Sequence, residues 1–280
     1  AARGGEQVIP QLRSQFNRAY SSEKYDTMLA RLEERCCAKM DFRIAETPVF
    51  LEKGLLDRMA EVGAEMAGRL IGDPGYIEAA HRAIPRRFCV PGEVRHPHFL
   101  SADFFLVRNT SGGYSPRLVG LQAFPSDYAC QAVLAKMYQC VYELNSGLGC
   151  FLGGLGKDSY LELLSRTILG GHDPLHVVLT AVDTDPRRAR PDFEVTARKF
   201  GLTVVDIREI EPEGEQLYYR NAQGKRIQIG RIYNRASAGE LEARNIQLPF
   251  DLTRRWDVEW AGHPNWHFLI SRFSLPWLTR

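Results

Sequence analysis

No stretch of this sequence approaches the roughly 18 consecutive apolar residues that a membrane-spanning helix requires. Its start, Ala1 to Pro10, is polar and glycine-rich and lacks the apolar core of a secretion signal. Both absences predict a soluble protein that stays in the cytoplasm and has no membrane partner. An excess of one charge is missing too: 36 Lys and Arg stand against 34 Asp and Glu, a formal net charge of +2. A field that weak does not predict nucleic acid as a partner, because binding a phosphate backbone takes clustered cations. The six cysteines (Cys36, Cys37, Cys89, Cys130, Cys140, Cys150) form no CxxC pair and no zinc-like spacing. They read as buried thiols in apolar, helix-like stretches. Internal repeats and low-complexity tracts are also absent.

What is present is the composition of an ordinary globular protein. At 280 residues and 44% hydrophobic content, the chain can bury one large core or two modest ones without disulfides or metals. Tyr25, Met28, Leu29 and Leu32 recur at helical spacing and predict a helix over 21–37 with Ser22 as its cap. Leu55, Met59, Val62, Met66 and Leu70 predict a second, ended by Gly72-Asp73-Pro74-Gly75. Pro85, Pro91, His96, Pro97 and His98 predict a connection across the surface. At residue 99 the texture changes: an apolar run over 99–107, a turn over 109–115 and a second run over 116–124 predict a β-hairpin. Helices are expected over 128–144 and 160–169. The strand–helix–strand pattern of 177–182, 191–200 and 202–207 predicts parallel pairing with a right-handed crossover. A further hairpin, 217–219 with 227–233, follows it. The fold class is α/β.

Asp103 and Gln122 stand out in the first hairpin, each within apolar surroundings. An ionised Asp inside such a strand is costly unless it is paired or bound to a cation. Strand alternation places Gly120 and Gln122 on one face, so a hard cation or a phosphate would fit between them and Asp103. The alternative has Asp103 capping a turn or meeting an arginine while Gln122 bonds to backbone. Arg231 and Arg235 flank Tyr233 and Asn234 at a strand end, where α/β proteins gather carboxylates and phosphates. His263 and His267 have the four-residue spacing of zinc ligands, but Pro264 argues against a regular helix there. Asp257 and Glu259 would make an acid/base pair, and with His263 a carboxylate-metal hydrolase, or would pair with Arg254, Arg255 or Arg272. Gly153-Gly154-Leu155-Gly156-Lys157-Asp158-Ser159 lacks the spacing of a phosphate loop. Arg187, Arg188 and Arg190 read as a solvated helix start.

The run Ser101-Ala102-Asp103-Phe104, a turn, then Pro116-Arg117-Leu118-Val119-Gly120-Leu121-Gln122-Ala123-Phe124-Pro125-Ser126 resembles the metal-binding hairpin of glutathionylspermidine synthases and related circularly permuted ATP-grasp ligases. That family reads Arg-x-Asp-Phe, a turn, then Pro-Lys-Leu-Leu-Glu-x-Asn before a Thr-Pro-Thr segment. The strand–helix–strand unit and its hairpin are similar to the family's inserted Rossmann-like domain. Trp266-His267-Phe268-Leu269-Ile270-Ser271-Arg272-Phe273-Ser274-Leu275-Pro276-Trp277-Leu278 is similar to its Trp-Lys-x-x-Leu-Ser-Asn-Lys-x-x-Leu-Pro-x-Leu-Trp run. The order of the three segments over 99–278 carries the resemblance.

The resemblance implies an ATP-grasp-like mixed sheet with an inserted Rossmann-like domain and amino-terminal helices. Its parts would be a helical region 1–98, a metal-hairpin portion 99–171, the Rossmann-like domain 172–250, and 251–280 leading into a nucleotide-binding half downstream of Arg280. It further implies ATP and magnesium as cofactors, and a small acid and an amine as substrates joined through an acyl-phosphate. Asp103 and Gln122 would meet magnesium, Ser126 would lie near phosphate, Ser101 would occupy the position of the catalytic arginine, and Arg235 would hold the acid. Gly120 stands where the family has Glu, and Ser101 where it has Arg. These departures imply weak metal affinity and raise the alternative of a ligase-derived binding or scaffold protein without catalysis.

Overall fold

The computed structural model describes residues 9–40, 42–110, 112–185 and 190–279. Helix α1 (Pro10–Ala19) starts on a proline, whose missing N–H costs nothing in a first turn. In α2 (Ser22–Cys36) the cap is Ser21, one residue before the expected position, and its hydroxyl accepts the Lys24 N–H at 3.2 Å. After α3 (Lys53–Ile71) the Asp73-Pro74 pair does more than end a helix. Asp73 accepts the N–H groups of Gly75 and Tyr76 at 2.9 and 3.1 Å and opens α4 (Pro74–Arg82), an element the apolar spacing did not reveal.

Strands β1 (Ser101–Arg108) and β2 (Tyr114–Gln122) form the expected hairpin, antiparallel, with a bulge between Asp103 and Phe104. One face lies on α3, where Gly63 permits close approach: a Cβ there would come within 2.9 Å of the Ala102 methyl. Helices α5 (Tyr128–Val141) and α6 (Lys157–Leu169) follow. Next come β3 (Val177–Ala181), α7 (Pro191–Phe200) and β4 (Thr203–Asp206), the strand–helix–strand unit, with β3 and β4 parallel. All five residues of β3 are buried, as in a sheet covered on both faces.

The strand expected over 227–233 divides between two sheets. Its first part is β7 (Arg226–Gln228), antiparallel to β6 (Gln216–Arg220), which also pairs with β5 (Glu211–Glu213). Its second is β8 (Arg231–Asn234), parallel to β3. Gly230 makes the crossing: its N–H donates to the His176 carbonyl at 2.8 Å, and a Cβ would meet the His172 ring at 2.9 Å. After α8 (Ala238–Ala243), β9 (Glu259–Ala261) pairs with β8, so the parallel sheet extends past residue 250, the expected boundary of this unit. The strand order is β4-β3-β8-β9. The chain leaves β3 toward β4 on one side and β8 toward β9 on the other, so the carboxyl ends of β3 and β8 form a topological switch point. The short α9 (Trp266–Leu269) and a 3-10 segment, Arg272–Thr279, pack back toward the hairpin, with the Ala123 N–H bonded to the Ile270 carbonyl at 2.9 Å.

Alternation along the parallel strands feeds two cores. Val178 and Ile232 face one with Leu70, Leu121, Leu217 and Trp260, while Val177, Leu179 and Tyr233 face the other with Met28, Leu32, Met137 and Phe193. The architecture is mixed α/β. Among the described residues no helix is long and apolar enough to cross a membrane. The cysteines are not uniformly buried: Cys36 and Cys130 are, whereas Cys37, Cys89, Cys140 and Cys150 are exposed. Beside Cys89 the apolar neighbours Phe88 and Val90 are buried while the thiol faces out.

Candidate functional site

Directly opposed residues of an antiparallel pair share a face, and so do residues two apart on one strand. The register pairs Ser101 with Gln122 and Asp103 with Gly120, which brings all four to one side of the hairpin. The other side, carrying Ala102 and Phe104, meets α3. On that side Asp103 is exposed, Gly120 is buried, and Phe105, two residues beyond Asp103, is 67% exposed. Asp103 therefore faces water, without the desolvation cost that its apolar sequence neighbours predict. Its carboxylate leans over Gly120, where an added Cβ would lie 2.7 Å from Oδ2. Ser101 is tied to the base of α5: its hydroxyl lies 3.2 Å from the Tyr128 phenol, which donates to the Leu100 carbonyl at 3.0 Å.

Among the described residues no three His, Cys, Asp or Glu side chains gather as a metal-holding group. On the hairpin face one carboxylate stands with an amide and a hydroxyl. A hard cation that gives up water reluctantly needs more negative charge than that, so this donor set does not fit a resident magnesium ion.

A second constellation lies at the switch point. Arg235 follows β8 directly, and its N–H donates to the Thr180 carbonyl at 2.9 Å. Its guanidinium is only 9% exposed. Nη1 donates to the Ser126 carbonyl at 2.9 Å and to the Asp192 carboxylate, while Nη2 lies 3.4 Å from Asp127. The ring of Phe193 sits 4.8 Å below the charge. Asp192 also accepts the N–H groups of Ala129 and Cys130 at 3.1 and 2.9 Å, so the first turn of α7 caps the amino terminus of α5. Burial pushes the Asp192 carboxyl above the usual carboxylate range, with the Arg235 guanidinium pulling the other way. The Arg235 Nε is buried and has no hydrogen-bond partner. Ser126 thus meets Arg235 through its backbone carbonyl, and Arg235 is engaged with protein acids on two of its three nitrogens.

The remaining candidates are scattered. Arg231 opens β8 and so lies at the opposite end of the sheet from Arg235. It is buried, donates to the Ile168 and Thr167 carbonyls at 2.9 and 3.1 Å, and pairs with Glu259, closing the carboxyl end of α6. Glu259 also contacts His172 at 3.2 Å, and Asp257 precedes β9, so the two carboxylates do not share a strand. His263 lies before α9 with its Nδ1 accepting the Asn265 N–H at 3.3 Å, whereas His267 meets Phe124 edge-on at 4.9 Å. Burial lowers both imidazoles. The Gly153–Ser159 run leads into α6, where Gly156 N–H donates to the Ser159 hydroxyl at 2.9 Å, and the element before it is a helix, not a strand. Arg190 pairs with Glu240 at 3.2 Å, while Arg187 and Arg188 lie outside the described residues.

Asp192, Asp127 and Tyr128 were not singled out from the sequence. Asp192 follows Pro191 at a helix start, where an acid is the common residue, so nothing in the local pattern marks its reach to another helix. Compared with known protein families and curated sequences, the chain matches no family model and no curated relative.

Proposed function

We propose that this chain forms the hairpin and acid-binding portion of an ATP-grasp-like carboxylate–amine ligase of the glutathionylspermidine synthase type, with its metal position weakened at Gly120. The observation that supports this reading best is the shared face of Ser101, Asp103, Gly120 and Gln122, the four positions that the family resemblance marks. The connection from Gln122 through Ser126 to Arg235 adds support, because it joins that hairpin to the switch point of a parallel sheet. ATP and magnesium are the cofactors this reading asks for, a small acid and an amine its substrates, and the cytoplasm its setting. No nucleic acid or membrane partner enters it. Holding an acid falls to Arg235, whose long Nη2 contact to Asp127 is the donor left for one.

Gly120 favours a second reading, a ligase-derived binding protein without turnover, since Asp103 stands there without a neighbouring carboxylate. Thermal shift of the full-length protein with ATP, with and without magnesium, followed by an ADP-release assay over pools of small acids and amines, separates the two. A ligand at one hundred times its dissociation constant adds about 2.7 kcal/mol to the folded state. ADP release supports the ligase. A magnesium-dependent shift that appears only in Gly120→Glu, without ADP release, supports the binding protein. No response from either protein overturns both.

A further inference from the structure

A cavity of about 550 Å³ opens between α2, the segment 42–51, α5 and the segment 144–150. That volume falls within the roughly 300–1,000 Å³ of small-molecule sites. Its walls are mainly apolar, with Leu32, Ile44, Phe50, Leu134, Tyr138 and Leu148 among them. Phe42 and Val49 also line it and are 49% and 66% exposed, so large hydrophobic side chains stand in water beside it. Its polar lining is largely neutral. Gln139 donates to the Leu148 carbonyl at 2.8 Å, and the Cys130 thiol is pushed up by its contact with Cys36 and by burial.

Asp127 is the one charged side chain among the described lining residues. It is 39% exposed, and its cation, Arg235, lies 3.4 Å away while engaging Asp192 more closely. Two carboxylates share one guanidinium, and Asp192 takes the closer contact, so Asp127 keeps acceptor capacity beside apolar walls. Ammonium attached to an apolar body satisfies both features, whereas a carboxylate would be repelled and a neutral ligand would leave the charge unmet.

We propose that this cavity binds a small hydrophobic amine, with its ammonium group at Asp127 and its alkyl or aryl body against Leu134, Tyr138 and Leu148. The site is independent of the ligase reading, because occupancy is measured without nucleotide or turnover.

Calorimetric titration of the full-length protein at neutral pH with 4-phenylbutylamine, 4-phenylbutanol and 4-phenylbutyrate tests it. The amine is expected to bind about tenfold more tightly than the alcohol, the margin of one charge-assisted contact, and the carboxylate not at all. Asp127→Asn should bring amine and alcohol to equal affinity. Leu134→Trp, which adds bulk to the cavity and leaves Asp127 in place, should weaken both together, and it keeps the test decisive if Asp127→Asn fails to fold. The proposal is overturned by absence of binding, by carboxylate or alcohol binding as tightly as the amine, or by amine affinity that Leu134→Trp leaves unchanged.

Discussion

The Asp192 carboxylate and the Arg235 guanidinium meet where α5, α7 and the end of β8 converge, and each is also bonded to backbone of the segment 126–130. Removing the acid would strand a buried cation and uncap a helix at once. Asp192→Ala is therefore expected to cost about 3–5 kcal/mol, with Asp192→Asn losing less because an amide oxygen still accepts the two N–H groups. Urea unfolding monitored by circular dichroism measures both. A loss below 1 kcal/mol for the alanine variant would contradict the arrangement.

Gly170 and Gly153 have nearly the same left-handed backbone, φ +60° and +62°, but different surroundings. A methyl group at 153 meets nothing within 4 Å, while at 170 it lies 2.6 Å from the Arg231 guanidinium carbon. Arg231 has little freedom to retreat from the Thr167 and Ile168 carbonyls and Glu259. Gly153→Ala should cost about 1 kcal/mol for backbone strain, and Gly170→Ala about 2–4 kcal/mol with the added crowding. Equal losses in denaturant would count against this contrast.

His98, His263 and His267 all have imidazoles lowered by burial. The unfolded chain, with ordinary imidazoles near pH 6.5, then takes up protons that the folded chain refuses. Their contribution to stability is complete above about pH 6.5 and is lost progressively as the pH falls toward the depressed folded values. His267→Phe removes one of these groups and keeps an aromatic ring beside Phe124. Its Tm should fall less steeply than that of the unsubstituted protein between about pH 6.5 and 5, and parallel profiles would refute the assignment.

At Gly120 the crowding atom is the tip of an exposed, rotatable carboxylate. Gly120→Ala is expected to stay within about 1 kcal/mol of the starting stability, since Asp103 can swing into water and a strand interior favours alanine over glycine. A loss above about 2 kcal/mol, abolished by adding Asp103→Ala, would mean that the carboxylate is held in place.

Much of the scaffold was legible because two periodicities carry it. Alternation assigned Gly120 and Gln122 to one face of β2, and the apolar runs around 177–182 and 202–207 gave parallel β3 and β4. Misreadings arose where one local pattern serves two structures. The run over 227–233 alternates like a single strand, yet Gly230 divides it between sheets, so Arg231 begins a strand that the sequence suggested it helped to end. Around Asp103 the apolar sequence neighbours Ala102 and Phe104 point to the opposite face. Asp192 and Asp127 gain their importance from Arg235, 43 and 108 residues away, a separation that periodicity cannot span.

The bulge between Asp103 and Phe104 divides the hairpin into a base and a tip. A bulge bends its strand and sharpens the local twist, so changes in the tip are not passed squarely into the base. Ser101, Asp103, Gly120 and Gln122 all belong to the base, whereas Phe105, Val107 and the turn at Asn109 belong to the tip. The tip is thus offset from the face it adjoins, so a change in the turn bends about the bulge before it reaches the four base positions.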